Sequence, residues 1–289
     1  DSNGEIDQIL VTLSETINDG SSTLDNTTFT VAGYTVSGTT TGSSANDNQV
    51  LVSLTESGSA DTDGTPNVVL ISGKISDGSN ALGYNQTFTG TTDGASPILL
   101  SATYKDTNGN GTVNRIDAVY SEVITSSTFE SGDWTFPANP ASLSVGSGAF
   151  SGSTVQITVT GAPANTTVLG TTTVKYTNQG TSNSITDGSN SSATSSVITV
   201  SDETVPVLLS ATYKDTNGNG TVDRIDAVYS EDITSSTFES GDWTFPANPA
   251  SLSVGSGAFS GSTVQITVTG APANTTVLGT TTVKYTNQG

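Results

Sequence analysis

One 83-residue segment occurs twice in this sequence, and that repeat constrains the fold more than any other feature. Residues 98–180 and 207–289 are spaced by 109 positions and differ at three places only. The differences are Ile98/Val207, Asn114/Asp223 and Val123/Asp232. Near-identity of two neighbouring copies is typical of a long array in which one structural unit has been duplicated.

A diverged third copy precedes the other two. Residues 1–15 align with residues 217–231, and KISDGSN at 74–80 matches SITDGSN at 184–190. The anchoring pairs are Gly4/Gly220, Asp7/Asp223, Ile9/Ile225 and Glu15/Glu231.

Short polar linkers, TTDGASP and SDETVP, separate the copies. We therefore predict three domains, at 1–95, 96–204 and 205–289. The first is expected to lack the strand before its glycine-rich loop and the last to lack its final strand, as in a window on a longer periodic protein.

The composition narrows the classes of function. The formal net charge is −20, from 7 Lys and Arg against 27 Asp and Glu, so the surface repels nucleic acids and anionic membranes and attracts divalent cations. There is no Cys and no His, which removes thiol chemistry and the commonest general base. No apolar run approaches the roughly 20 residues of a membrane span. We expect a protein that is not an enzyme and that does not insert into membranes through this segment.

Apolar residues recur with period two in short runs separated by turns rich in Gly, Asn, Ser and Pro, a pattern that predicts strands. Seven such runs fall within about 100 residues, which is typical of a seven-stranded β-sandwich with Greek-key connections. In the middle copy the predicted strands are Leu99–Lys105, Val113–Ser121, Asp133–Phe136, Ser142–Phe150, Thr154–Thr160, Thr171–Tyr176 and Ser195–Val200.

The run LLSATYKDTNGNGTVDRIDAVYSE, followed by a TDGSN turn and a closing VITVSDETVP, resembles bacterial Ig-like repeats. Such repeats occur in S-layer proteins, adhesins and other large surface proteins. The resemblance implies tandem Ig-like domains, neighbouring copies of the repeat as partners, and an extracellular location at the cell surface or in a secreted fibre.

One loop has the spacing of a metal site. DTNGNGTVDRID at 215–226 places oxygen donors at positions 1, 3, 5, 7, 9 and 12, with a glycine at position 6, which is the spacing of the 12-residue calcium loop. The predicted ligands are Asp215, Asn217, Asn219, Thr221 through its carbonyl, Asp223 and Asp226. The alternative is a plain hairpin turn, since Asn-Gly forms one without a metal. A plain turn does not require carboxylates at positions 1, 9 and 12.

The other copies carry variants of this loop. The middle one has one charge fewer, and its predicted ligands are Asp106, Asn108, Asn110, Thr112, Asn114 and Asp117. The first copy retains Asp1, Asn3 and Asp7 but has Leu10 at the last position, so weaker binding is expected there.

Seven antiparallel strands would place this loop and the exit of the last strand at the same pole, beside the next domain. Asp202, Glu203 and the turn at 186–188 are then candidates to approach a calcium ion at the junction. Such an ion would bridge acids from two copies and stiffen the joint.

These features predict a structural repeat segment, stiffened by calcium, of a stalk, S-layer or filament. Two alternatives stay open: an adhesin module that binds glycan or a cell-surface protein, and a filament subunit that assembles by strand exchange.

Overall fold

The computed structural model describes residues 3–126, 128–162, 169, 171–180, 184–234, 237–269, 279 and 281–287. Regular structure in these residues is almost entirely β, with short 3-10 turns such as Ser131–Asp133, so the predicted all-β class is confirmed. Within the same residues, helices are too short or too polar to cross a membrane.

The strands fall into three groups that follow the three copies. The first group is β1 (Gln8–Thr12), β2 (Phe29–Val31), β3 (Thr35–Thr41), β4 (Gln49–Thr55), β5 (Val68–Leu70) and β6 (Gln86–Phe88). The second is β7 (Leu99–Lys105), β8 (Arg115–Tyr120), β9 (Trp134–Thr135), β10 (Ser144–Ser151), β11 (Thr154–Thr160), β12 (Thr173–Tyr176) and β13 (Ile198–Asp202). The third is β14 (Leu208–Lys214), β15 (Arg224–Tyr229), β16 (Trp243–Thr244), β17 (Ser253–Ser260), β18 (Thr263–Thr269) and β19 (Lys284–Tyr285).

Alternation along the strands explains why these runs pair. In β8, Ile116, Ala118 and Tyr120 are buried while the residues between them are half-buried. The neighbouring β11 sets Ile157 opposite Ile116 and Val155 opposite Ala118, so both strands turn the same apolar face inward.

The middle copy has the predicted seven strands, but they form one continuous sheet in the order β10-β11-β8-β7-β13-β12-β9. Its neighbours are antiparallel except at one seam, where β13 runs parallel to β7 with Val200 opposite Ala102 and Asp202 opposite Tyr104. β7 is hydrogen-bonded to β8 on its other edge. The two halves that we expected as separate sheets are therefore joined, because β7 pairs on both edges.

The outer copies show what that seam does. The first copy has no counterpart of β7 among its described residues, and its strands form two separate sheets, β1-β4-β3 and β2-β5-β6. The last copy has no counterpart of β13 in the part that is described, and it divides into β14-β15-β18-β17 and β16-β19. Each division falls where one partner of the parallel seam is missing.

The strand sequence that β7 and β14 share is buried to different extents in the two copies. In β7, Ala102 and Tyr104 are each 1% exposed, whereas the equivalent Ala211 of β14 is exposed and Tyr213 is half-buried. The strand sequence LLSATYK is identical in both, so the difference in burial comes from the surroundings, and of these two strands only β7 pairs with a strand such as β13 on its second edge in the described residues.

Each copy packs around its own apolar cluster. The cluster centres are Val50 and Phe29 in the first copy, Ile116 and Tyr176 in the second, and Ile266 in the third. All members of a cluster come from one of the predicted segments 1–95, 96–204 and 205–289.

Candidate metal centre

The predicted calcium loop of the middle copy is held together by its own side chains. The Asp106 carboxylate accepts the backbone N–H of Gly109 at 2.9 Å and of Gly111 at 2.7 Å. Asn108 Oδ1 accepts the N–H of Asn110 at 3.2 Å, and Asn110 Oδ1 accepts that of Thr112 at 2.8 Å. These bonds define the turn without a cation, so the plain-turn interpretation keeps physical support.

The side chains at positions 9 and 12 of that loop, Asn114 and Asp117, have other partners. Asn114 Oδ1 accepts both the N–H and the hydroxyl of Thr107, each at 3.0 Å. Asp117 lies on β8, where its Oδ1 is 2.6 Å from Nε of Arg115. The carboxylate predicted for position 12 is thus already paired with a guanidinium.

The loop of the last copy repeats this arrangement. Asp215 accepts the N–H groups of Gly218 at 2.8 Å and Gly220 at 2.7 Å, and Asp226 Oδ1 lies 2.7 Å from Arg224 Nε. The remaining predicted ligands cap N–H groups of their own loop, namely Asn217 that of Asn219, Asn219 that of Thr221, and Asp223 that of Thr216. The Thr216 bonds lower the pKa of the Asp223 carboxyl. Calcium binding by these loops remains a prediction.

In the first copy, Asn3 Oδ1 accepts the N–H of Glu5 at 3.0 Å, and the carbonyl of Asp7 accepts the N–H of Leu54 at 2.9 Å. Asp1 lies outside the described residues.

The glycines of the first two loops lie against the next copy. A Cβ built on Gly4 would come within 2.9 Å of Leu100 Cδ2 and 3.0 Å of Ser121 Cβ, both in the next copy. The equivalent Gly111 would meet Leu209 Cδ2 at 2.7 Å and, in the same copy, Ser230 Cβ at 2.9 Å.

The third glycine of this set, Gly220, has a φ of +82°, close to the +81° of Gly111, and its Cβ would meet nothing within 4 Å. The positive φ is therefore a property of the loop and does not depend on a neighbouring copy. The lack of a side chain at Gly111 also allows the two copies to approach closely.

Sequence reasoning named the turn at 186–188 but missed Asp93 and Glu122, with which the Asp187 carboxylate converges. Asp93 of the first linker, Glu122 immediately after β8 and Asp187 of the DGSN turn have ligand oxygens within 4.8 Å of one another. Among the described residues this acidic trio is the only group of three or more Asp and Glu side chains so arranged. Glu122 is 3% exposed, and its Oε1 has no hydrogen-bond partner.

Burial and like charge shift the acidities in the trio. Burial raises the pKa of Glu122 to about 7, and the charges of Asp187 and Asp93 add to the rise. Burial also raises the pKa of Asp93. For Asp187 burial is again the largest influence, but N–H groups of the DGSN turn outweigh it and lower the pKa.

The trio adjoins the junction between the first two copies. Thr62 of the first copy donates its hydroxyl to Ser121 Oγ at 2.6 Å in a buried contact, and Ser121 precedes Glu122. Asp63 of the first copy is near enough for its charge to raise the pKa of Asp93.

Part of the trio recurs at the second junction. Asp202 and Glu231 stand 109 positions after Asp93 and Glu122. Burial raises the pKa of Glu231, followed by the charge of Asp202, and Glu231 Oε1 again has no hydrogen-bond partner. Of the other acids that we expected here, Glu203 forms an ion pair with Lys105. A search for acids repeated at the period of 109, without regard to any loop motif, would have found Asp93 and Glu122.

The first and last copies each contain a groove. In the first copy a groove of about 740 Å³ runs between β1 and β6, lined by Ile9, Val11 and Phe88. In the middle copy the corresponding space between β8 and β13 is occupied by β7. The last copy has a smaller groove of about 350 Å³ beside Trp243 and Tyr285.

No protein-family model, no curated protein and no solved structure matches this chain.

Proposed function

We propose that this chain is a non-enzymatic structural segment of tandem Ig-like repeats, part of a long extracellular surface or fibre protein whose joints are stiffened by calcium. The observation that carries the proposal is the repeated junction. The loop glycine of one copy packs against the same leucine and serine of the next copy, first at Gly4 and again at Gly111.

A repeated junction favours an extender because it applies the same geometry at each step. At both joints the serine that meets the glycine also accepts a backbone N–H at the entry to its own copy. Ser121 Oγ accepts that of Ile98 at 3.0 Å, and Ser230 Oγ that of Val207 at 2.9 Å. The serine at each contact is thus fixed by a hydrogen bond to the backbone at the start of its own domain.

The charge supports a role for cations at these joints. A net charge of −20 makes neighbouring copies repel, and few basic side chains are present to offset it. Ligation of calcium by acids on both sides of a joint would remove that repulsion and hold the angle.

The test uses two matched leucine substitutions in the whole chain. Gly111→Leu places a side chain against Leu209 and Ser230, while Gly220→Leu introduces the same backbone strain, about 1–2 kcal/mol, where no neighbour lies within 4 Å. Small-angle scattering should show a changed profile for Gly111→Leu and an unchanged one for Gly220→Leu. Superimposable profiles for both variants would show that the joint does not set the shape of the array.

A second candidate function, a filament subunit that assembles by strand exchange, is favoured by the groove of the first copy. We propose that this groove accepts an added strand with the sequence of β7. In the middle copy that strand pairs with β8 and β13, which correspond to β1 and β6. Exposed ladder edges on both sides of the groove would supply the hydrogen bonds.

A labelled peptide of the sequence LLSATYK tests this. We expect its fluorescence anisotropy to rise on titration with the whole chain. A control peptide carries Asp at the positions of Ala102 and Tyr104, whose side chains are buried in the middle copy, and it should not bind. Equal behaviour of the two peptides would contradict strand addition.

A further inference from the structure

We propose that Asp93, Glu122 and Asp187 form a calcium site that ties the first linker, the end of β8 and the DGSN turn together beside the joint of the first two copies. The inference rests on the proposed function, which it deepens by assigning the stiffening ion to residues outside the predicted loops.

The first argument is the size of the cage. The three ligand oxygens lie within 4.8 Å of one another. Calcium binds oxygen at 2.3–2.6 Å, so two ligands on opposite sides of the ion are separated by roughly 5 Å. Three carboxylates at this spacing can therefore bind one calcium ion without moving apart, and carbonyls or water can complete the shell.

The second argument is independent of the clustering. Glu122 is 3% exposed and its Oε1 accepts no hydrogen bond. A buried carboxylate oxygen without a donor is costly, and the cost increases when other carboxylates face it. A divalent cation removes both penalties at once. The same orphaned oxygen recurs on Glu231 at the second junction.

The third argument is that hydrogen bonds hold Asp187 and Asp93 in place. Asp187 Oδ1 accepts the N–H of Ser189 at 2.5 Å and of Asn190 at 2.7 Å, which fixes the DGSN turn. Asn190 Nδ2 donates to the Asp93 carbonyl at 3.3 Å and so links the turn to the linker. Asp93 Oδ1 accepts the N–H of Ala95 at 2.9 Å.

The predicted loops differ in one respect. Their position-12 carboxylates face arginines. The acidic trio has no arginine partner of this kind among the residues described.

Calorimetry on the whole chain with calcium chloride tests the site, with a matched control in the same turn motif. Asp187→Asn keeps an oxygen that can accept the turn's N–H groups but removes the charge, and Glu122→Gln does the same for the orphaned carboxylate. The control is Asp77→Asn, because Asp77 accepts the N–H of Ser79 and Asn80 in the DGSN turn of the first copy but belongs to no acidic trio in the described part of the chain.

We expect one calcium site to weaken by at least about tenfold in Glu122→Gln and Asp187→Asn, and to be unchanged in Asp77→Asn. Circular dichroism in chelator checks that all three variants fold. Folded Glu122→Gln and Asp187→Asn proteins that bind calcium like the wild type would overturn the site.

Scattering separates this inference from the proposed function. If calcium binds the trio but the profiles with and without chelator superimpose, the site stands and the stiffening role is wrong. If calcium still extends the chain in Glu122→Gln, stiffening stands and the ion is held elsewhere.

Discussion

Two tyrosines in identical sequence offer a direct measure of how much the deeper burial of one of them stabilises its copy. Tyr104 is 1% exposed and its hydroxyl donates to the Leu169 carbonyl at 2.6 Å. Tyr213, at the same place in LLSATYK, is half-buried. Removal of a fully buried aromatic side chain costs about 4 kcal/mol, whereas truncation of a half-buried one costs about 1–2 kcal/mol. Tyr104→Ala should therefore destabilise its copy about two to four times as much as Tyr213→Ala destabilises the last one.

The two tryptophans allow each copy to be measured separately within the whole chain. Trp134 and Trp243 are the only tryptophans, and they lie buried in the middle and last copies. In a Trp243→Phe background, fluorescence during urea unfolding reports the middle copy. In a Trp134→Phe background it reports the last copy. This separation is needed because a chain of three cores need not unfold in one step.

The reasoning fails if the two tyrosine substitutions shift their transitions equally. Equal shifts would mean that the deeper burial of Tyr104 contributes nothing that Tyr213 lacks. A control at a position buried alike in both copies, Ile116→Val against Ile225→Val, should give matching losses of about 1 kcal/mol.

Three other predictions follow from the junctions. With calcium removed by a chelator, Glu122→Gln should stabilise the middle copy at pH 8 by at most about 3 kcal/mol. This figure follows from the rise of the Glu122 pKa from 4.5 to about 7. The sign follows because a raised pKa contributes stability that is complete below 4.5 and lost as the pH rises through about 7. Unfolding followed by Trp134 fluorescence at pH 4 and 8 should show a larger loss of stability in the wild type than in Glu122→Gln. Asp215→Ala combined with Asp223→Ala should remove most calcium affinity of the last loop, and unchanged calorimetry would rule out that loop. Chelation should shorten the mean end-to-end distance measured by scattering. The strand signal in circular dichroism should persist, because calcium at about a hundredfold above its Kd stabilises the bound state by only about 2.7 kcal/mol per site.

Strand positions were predictable from sequence where the alternation is strong. The expected bounds Leu99–Lys105 and Thr154–Thr160 are those of β7 and β11. The parallel seam between β7 and β13 was not predicted, because the pairing of residues about 100 positions apart depends on tertiary packing and leaves no local pattern.

The candidate site was likewise predictable from the sequence only in part. Spacing alone identified Asp106 and Asn110 as parts of one structured loop, and the structure brings them together through backbone N–H groups. Glu122 follows Ser121, which accepts a buried hydrogen bond from Thr62 of another copy. A motif read within one copy contains no information about that contact.

The parallel seam has a mechanical consequence. β7 opens the middle copy and β13 closes it, so tension on the whole chain pulls the start of one and the end of the other in opposite directions along their common axis. The bonds that join Val200, Ser201 and Asp202 to β7 are then loaded together in shear and do not open one at a time. In single-molecule pulling, the middle copy should therefore give way at a higher force than either outer copy, neither of which has this seam among its described residues.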